Sequence, residues 1–67
     1  MSVAKVTELS SESKKSFKDA IEGGIARANT SLRNVTGAWV ESQKVVVKNG
    51  EIVGYRVILK VTFVLDD

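Results

Sequence analysis

Few side chains in this sequence can do chemistry, and a tryptophan and an arginine are two that could bind a ligand. Trp39 is the single tryptophan, and its indole face is a surface on which a flat aromatic ligand can stack. Arg56 carries a guanidinium fork that can pair with an anionic group. Each residue also has a more ordinary structural interpretation. Trp39 can pack against a neighbouring subunit, and Arg56 can form an ion pair with Glu41 or another carboxylate.

The residues on which most enzymes depend are missing from the chain. Its 67 residues include no cysteine and no histidine. There is therefore no thiol nucleophile, no imidazole base and no Cys/His ligand set for zinc. The carboxylates are scattered, and no Asp-x-Asp-x-Asp calcium loop occurs. We predict that the protein is not an enzyme, and that any calcium site is weak or is assembled between subunits.

Charge and hydropathy narrow the range of partners. The formal net charge of +2 is too small to indicate a nucleic-acid partner. No apolar run approaches the roughly 18 residues of a membrane span, and the first residues do not lead into a signal-peptide core. We therefore expect a cytoplasmic protein with no nucleic-acid or membrane partner.

Hydrophobic periodicity predicts a short strand over residues 3–9 and then an amphipathic helix of about 18 residues. Serine and glutamate side chains in residues 10–13 are candidate N-caps for this helix. The apolar positions of the helix are spaced by four, four, three and four, at Phe17, Ile21, Ile25, Ala28 and Leu32. A second stripe of small residues predicts close packing on a sheet, and it consists of Ala20, Gly23, Gly24 and Ala28.

Two longer strands are predicted over residues 35–47 and 51–66, joined by a turn at Asn49-Gly50. Asn-Gly is a strong hairpin signal because both residues accept positive φ. One face of the last strand is apolar at a period of two, from Tyr55 to Leu65. The predicted fold class is α+β, in the order β-α-β-β, with one helix packed on a three-stranded antiparallel sheet. The predicted domain organisation is a single domain over residues 1–67.

The predicted sheet has a second face that points to self-association. That face carries Ile58 and Val64 beside Arg56 and Lys60, which is too apolar for open water and too charged for a core. For a chain of this length, the free energy gained by burial and the entropic cost of ordering are both on the order of 100 kcal/mol. We therefore expect the folded chain to be stabilised by copies of itself.

The whole chain resembles the dodecins, small proteins of this topology that assemble as hollow dodecamers. No single motif carries the resemblance, but the order, the length and the C-terminal ending together do. Besides Ser13, Val40 and Tyr55, the matching segments are residues 6–9, 20–21, 25–28, 32–35 and 59–66.

The resemblance implies a flavin site in which a tryptophan stacks on the ring and a glutamine contacts its polar edge. In register, Gly37 stands at the tryptophan position and Arg56 at the glutamine position, while Trp39 is displaced along the same strand face. Gly37 either enlarges a pocket or marks a bulge or a close backbone approach. We take Gly37, Trp39 and Arg56 as the candidate cofactor-binding residues.

The predicted function is therefore dodecin-like binding and storage of a small ligand. The resemblance implies a flavin, as FMN, FAD or riboflavin, held by a homododecamer. One branch of dodecin-like proteins lacks the tryptophan, carries arginine in place of the glutamine and binds calcium. The alternative is accordingly a calcium-binding or purely structural dodecamer without flavin.

Overall fold

The computed structural model describes residues 2–66, which form four elements. Their order is β1 (Ala4–Ser13), α1 (Phe17–Ser31), β2 (Val35–Lys48) and β3 (Glu51–Val64). The strands form one antiparallel sheet in the order β1-β3-β2, so the last strand is central. The predicted fold class, β-α-β-β with one helix on a three-stranded sheet, is confirmed.

Strand β1 is longer than its sequence pattern predicts, and the predicted helix caps lie within it. Ser10 pairs with Ile58, and the ladder continues as far as Ser13 opposite Tyr55. The N-cap is instead Ser16, whose hydroxyl accepts a hydrogen bond from the backbone N of Asp19 at 2.9 Å. A hydroxyl-rich segment suits both a strand end and a cap, and here pairing with β3 decides between them. The helix is consequently 15 residues long rather than 18.

The core lies between α1 and one face of β3, as the period-two pattern predicts. Val57, Leu59 and Val61 are completely buried. Ala20 and Ala28 are the buried alanines of the helix, and the larger helix residues pack around this core.

The two glycines of the helix have different surroundings. A Cβ at Gly24 would lie 2.8 Å from Cδ1 of Leu59 and 3.1 Å from Cβ of Ser11. A Cβ at Gly23 would meet nothing within 4 Å. The predicted close packing therefore holds for Gly24, and the inclusion of Gly23 in the packed stripe was wrong.

The hairpin between β2 and β3 turns where it was predicted. Asn49 and Gly50 have φ values of 52° and 79°, which suits Asn-Gly. Beyond the start of α1 the hairpin continues without helical cover, and its apolar side chains are exposed at Val45, Val47, Ile52 and Val53.

The chain is extended for its size. It measures 51 × 19 × 13 Å, with a radius of gyration of 13.7 Å, whereas a compact chain of this length has about 11 Å. Its accessible surface is 4907 Å², against about 4,200 Å² for a compact monomer of the same mass. Such excess surface is typical of a subunit. No helix within residues 2–66 is long and apolar enough to cross a membrane, and the cytoplasmic location stays a prediction.

Candidate functional site

The face of the sheet opposite α1, which we call the open face, holds all three candidate site residues. No helix within residues 2–66 covers it, and the cross-strand register determines which side chains it presents. These belong to Val6, Glu8, Ser10 and Glu12 of β1, to Gly37, Trp39, Ser42, Lys44 and Val46 of β2, and to Arg56, Ile58, Lys60, Thr62 and Val64 of β3.

Arg56 is held by Glu12, its cross-strand neighbour on β1. Its Nη2 lies 2.6 Å from Oε1 of Glu12, and its Nε donates to the same oxygen at 2.8 Å. A cross-strand pair with Glu41, the first partner proposed from the sequence, does not form within the chain, because Glu41 lies farther along the sheet and pairs with Lys60 instead. The more general expectation of an ion pair with another carboxylate is met by Glu12.

Lys60 occupies the middle of the open face and contacts Trp39. Its ammonium lies 3.0 Å from Oε1 of Glu41 and 5.9 Å from the centroid of the indole ring. The hydrogen bond to Glu41, the charge of Glu41 and a smaller effect of Glu8 raise the pKa of Lys60 above its usual 10.5, although desolvation acts in the opposite direction. Trp39 is 50% exposed, so the indole offers a surface that is already partly engaged by a cation.

Gly37 pairs with Thr62 next to a shift in the strand register after Val35. A Cβ built at this position meets nothing within 4 Å. The bulge interpretation agrees with the register shift, whereas a close backbone approach within the chain does not occur at this glycine. There is accordingly room for a side chain at position 37.

One chain does not bring the three candidate residues together. Gly37 pairs with Thr62, which is six positions from Arg56 along β3. Trp39 pairs with Lys60, which is four positions from Arg56. At about 3.3 Å per residue, Arg56 is roughly 20 Å from Gly37 and roughly 13 Å from Trp39. A small ligand that touches Arg56 and either of the others must therefore contact more than one copy of the chain.

A cavity of about 430 Å³ opens on the part of the sheet around Arg56. Its lining residues are Ser10, Ser42, Gln43, Lys44, Arg56 and Ile58. Of these, only Arg56 was predicted from the sequence to be a site residue. Lys44 was not predicted to line the site. Counting residues back from the turn would pair Lys44 with Tyr55. In the structure Val53 is an extra residue of β3, so the cross-strand partner of Lys44 is Arg56.

Within residues 2–66, no three carboxylates gather into a group that could hold a metal ion. The calcium alternative thus has no candidate ligand set in this part of a single chain.

The Dodecin family model matches residues 3–66. The chain belongs to the dodecin family. The dodecin from Streptomyces davaonensis is 30% identical over 98% of this chain and 97% of its own, with a TM-score of 0.93. The tt0972 protein from Thermus thermophilus is 28% identical over 100% and 98% of the two chains, also with a TM-score of 0.93. No curated protein matches the sequence significantly.

Dodecins are small ligand-binding storage proteins rather than enzymes, and flavins are among their ligands. Members of the family assemble as homododecamers.

Proposed function

We propose that this dodecin is a homododecamer of single 67-residue domains that binds and stores a flavin-related ligand on the open face. The observation that carries the proposal is the placement of Gly37, Trp39 and Arg56, all of which lie on this face. Trp39 would supply stacking surface and Arg56 a polar contact, in a protein that sequesters its ligand without transforming it.

The spacing of these residues places the ligand between subunits. Because Arg56 is roughly 13 Å from Trp39 and farther from Gly37 within one chain, the site needs contributions from two or more copies. Loss of the assembly should then abolish ligand binding even if the individual chain stays folded.

Binding of unmodified flavin should be weak. Gly37 offers no ring, one part of Trp39 is engaged by Lys60, and Arg56 is engaged by Glu12. An aromatic platform contributes about 1–3 kcal/mol per stacked ring, so its loss weakens binding roughly tenfold or more.

Quenching of flavin fluorescence on titration with the assembled protein tests the proposal. We expect weak, saturable quenching by the wild type and stronger quenching by the double variant Gly37→Trp, Arg56→Gln. Gly23→Trp is the control, because it adds an indole to the helix and not to the open face. Tight binding by the wild type would contradict the weak-binding claim, and Trp39→Ala would then show whether the displaced indole stacks. Absence of quenching from both proteins would favour a structural assembly, or a calcium-binding one if calorimetry detects the ion.

A further inference from the structure

The turn between β2 and β3 consists of Asn49 and Gly50 alone, because Lys48 and Glu51 on either side of it are already paired. Both turn residues have positive φ, at 52° and 79°, and both are exposed. Positive φ at both positions is the mark of a type I′ turn, which Asn-Gly adopts readily. The far end of the hairpin therefore presents an Asn-Gly peptide bond to solvent.

The hairpin end can open without disturbing the core of the protein. The completely buried side chains of β3 begin at Val57, and β1 pairs with β3 no closer to the turn than Tyr55. Val47 and Ile52, the last cross-strand pair but one before the turn, are 57% and 54% exposed. Segments with so few buried contacts open locally at low free-energy cost. The turn residues therefore sample conformations other than that of the closed hairpin.

In such an open conformation the side-chain amide of Asn49 can react with the backbone nitrogen of Gly50. Hydroxide removes the N–H proton of Gly50, and the nitrogen attacks Cγ of Asn49. The bond between Cγ and Nδ2 breaks, the amino group leaves as ammonia after taking a proton from water, and a cyclic imide remains. Water then adds to either carbonyl of the imide and opens the ring, to aspartate or to isoaspartate. Glycine hinders the attack least, because it has no Cβ.

The other two asparagines of the chain lack this combination of features. Asn29 lies within α1, whose backbone is fixed by helical hydrogen bonds, and the β-branched Thr30 follows it. Asn34 also has positive φ. Its Nδ2, however, donates to the carbonyl of Val64 at 3.2 Å and to Oδ1 of Asp66 at 2.8 Å, and a β-branched valine follows it. Only Asn49 combines exposure, a mobile turn and a glycine neighbour.

We propose that Asn49 is a modification site, at which the folded protein deamidates spontaneously and selectively. The two products affect the hairpin differently. Aspartate keeps the backbone unchanged and tolerates the positive φ of this position, while it adds a negative charge close to Glu51. Isoaspartate inserts its Cβ into the main chain. A two-residue turn then no longer fits between Lys48 and Glu51, and the end of the β2–β3 ladder is lost.

Peptide mapping of the assembled protein after incubation at mildly alkaline pH tests the selectivity. Trypsin cleaves after lysine and arginine, so each asparagine falls in a peptide of its own, over residues 28–33, 34–44 and 49–56. We expect the mass change from amide to acid, with separable aspartate and isoaspartate forms, in the peptide 49–56 alone. Conversion should be faster at higher pH, because the reacting group is the deprotonated amide nitrogen. A sample digested before incubation corrects for deamidation during digestion.

Asn49→Gly is the matched control, since Gly-Gly also suits a type I′ turn but offers no side-chain amide. Its methyl NMR signals from Val47 and Ile52 should stay unchanged through the incubation, whereas the wild type should lose these signals in proportion to its isoaspartate fraction. Equal loss from both proteins would overturn the assigned effect on the hairpin.

The wild-type chain unfolded in urea gives the rate of the reaction without any turn. The proposal is overturned if the unfolded chain converts while the folded protein does not, since the closed turn would then protect Asn49. It is also overturned if Asn29 or Asn34 reacts as fast as Asn49 in the folded protein.

Discussion

The ammonium nitrogen of Lys60 lies 5.9 Å from the centroid of the Trp39 ring. Glu41 holds the ammonium there through a contact of 3.0 Å. A cation over an exposed indole contributes about 0.5–1 kcal/mol. An incoming aromatic ligand must therefore compete with the side chain of Lys60 for this part of the ring.

Lys60→Met should strengthen binding of a ring that stacks on Trp39. Removing the competing cation frees about 0.5–1 kcal/mol, which corresponds to roughly twofold to fivefold in affinity. Riboflavin, which is uncharged, is the suitable probe, and fluorescence quenching is the measurement. Lys18→Met serves as the matched control. Unchanged or weaker binding by Lys60→Met would show that Trp39 does not stack on the ligand.

The pair of Lys60 and Glu41 predicts a change in stability at alkaline pH. Because contact with Glu41 raises the pKa of Lys60 in the folded protein, the charged lysine favours folding. That contribution is complete below the unfolded pKa, and it is lost as pH rises through the raised value.

Glu41→Gln should accordingly be less stable than the wild type at a pH well below the usual lysine pKa of 10.5, and the difference should narrow at a pH above the raised value. Urea denaturation at the two pH values measures this difference. Glu22→Gln, which removes an exposed helix carboxylate, provides the comparison. A difference for Glu41→Gln that is the same at both pH values would contradict the assigned cause.

The exposed sheet face and hairpin predict that the isolated chain is not stable. Twelve chains of 7.3 kDa would form a particle of about 88 kDa, and dilution should lead to loss of folded structure rather than to a folded monomer. Light scattering combined with circular dichroism tests this. A folded species of about 7 kDa at micromolar concentration would contradict it.

The neighbouring glycines of α1 predict opposite effects of the same substitution. Gly23→Ala adds a methyl group to open space and should stabilise the protein by about 1 kcal/mol through helix propensity. Gly24→Ala forces its methyl group against the buried Leu59 and against Cβ of Ser11. Overpacking of this kind costs about 1–3 kcal/mol, so a net loss is expected. Thermal denaturation of the two variants measures these changes in stability. If both substitutions stabilised the protein, the helix would be able to move away from the sheet.

The sequence was informative where one periodicity extended over many residues. The alternation from Tyr55 to Phe63 identified the buried face of β3 because one side of that strand packs on the helix throughout. β1 was less predictable, since Ser10 and Ser13 suit a strand or a cap equally well. The partner of Arg56 depended on which strand flanks β3 at that position, and this is a property of the sheet order rather than of local sequence.

The candidate site was even harder to predict from the sequence. Gly37 and Arg56 stood out through resemblance to a family, because nothing local distinguishes a glycine or an arginine in a strand. The cavity around Lys44 depends on an extra residue at Val53, on the other strand of the hairpin. The position of the cavity could therefore not be derived by counting residues from the turn.

The register shift at Glu41 has a consequence for how this surface can evolve. Trp39 and Lys44 are an odd number of positions apart, yet both lie on the open face because Glu41 is an additional residue between Val40 and Ser42. Alternation along a strand would otherwise put them on opposite sides. Deleting Glu41 would remove this additional residue and leave regular alternation, so Trp39 would still pair with Lys60, and Lys44 with Arg56, on the open face. Loss of this one residue would therefore remove the carboxylate beside Lys60 without exchanging the two faces of β2.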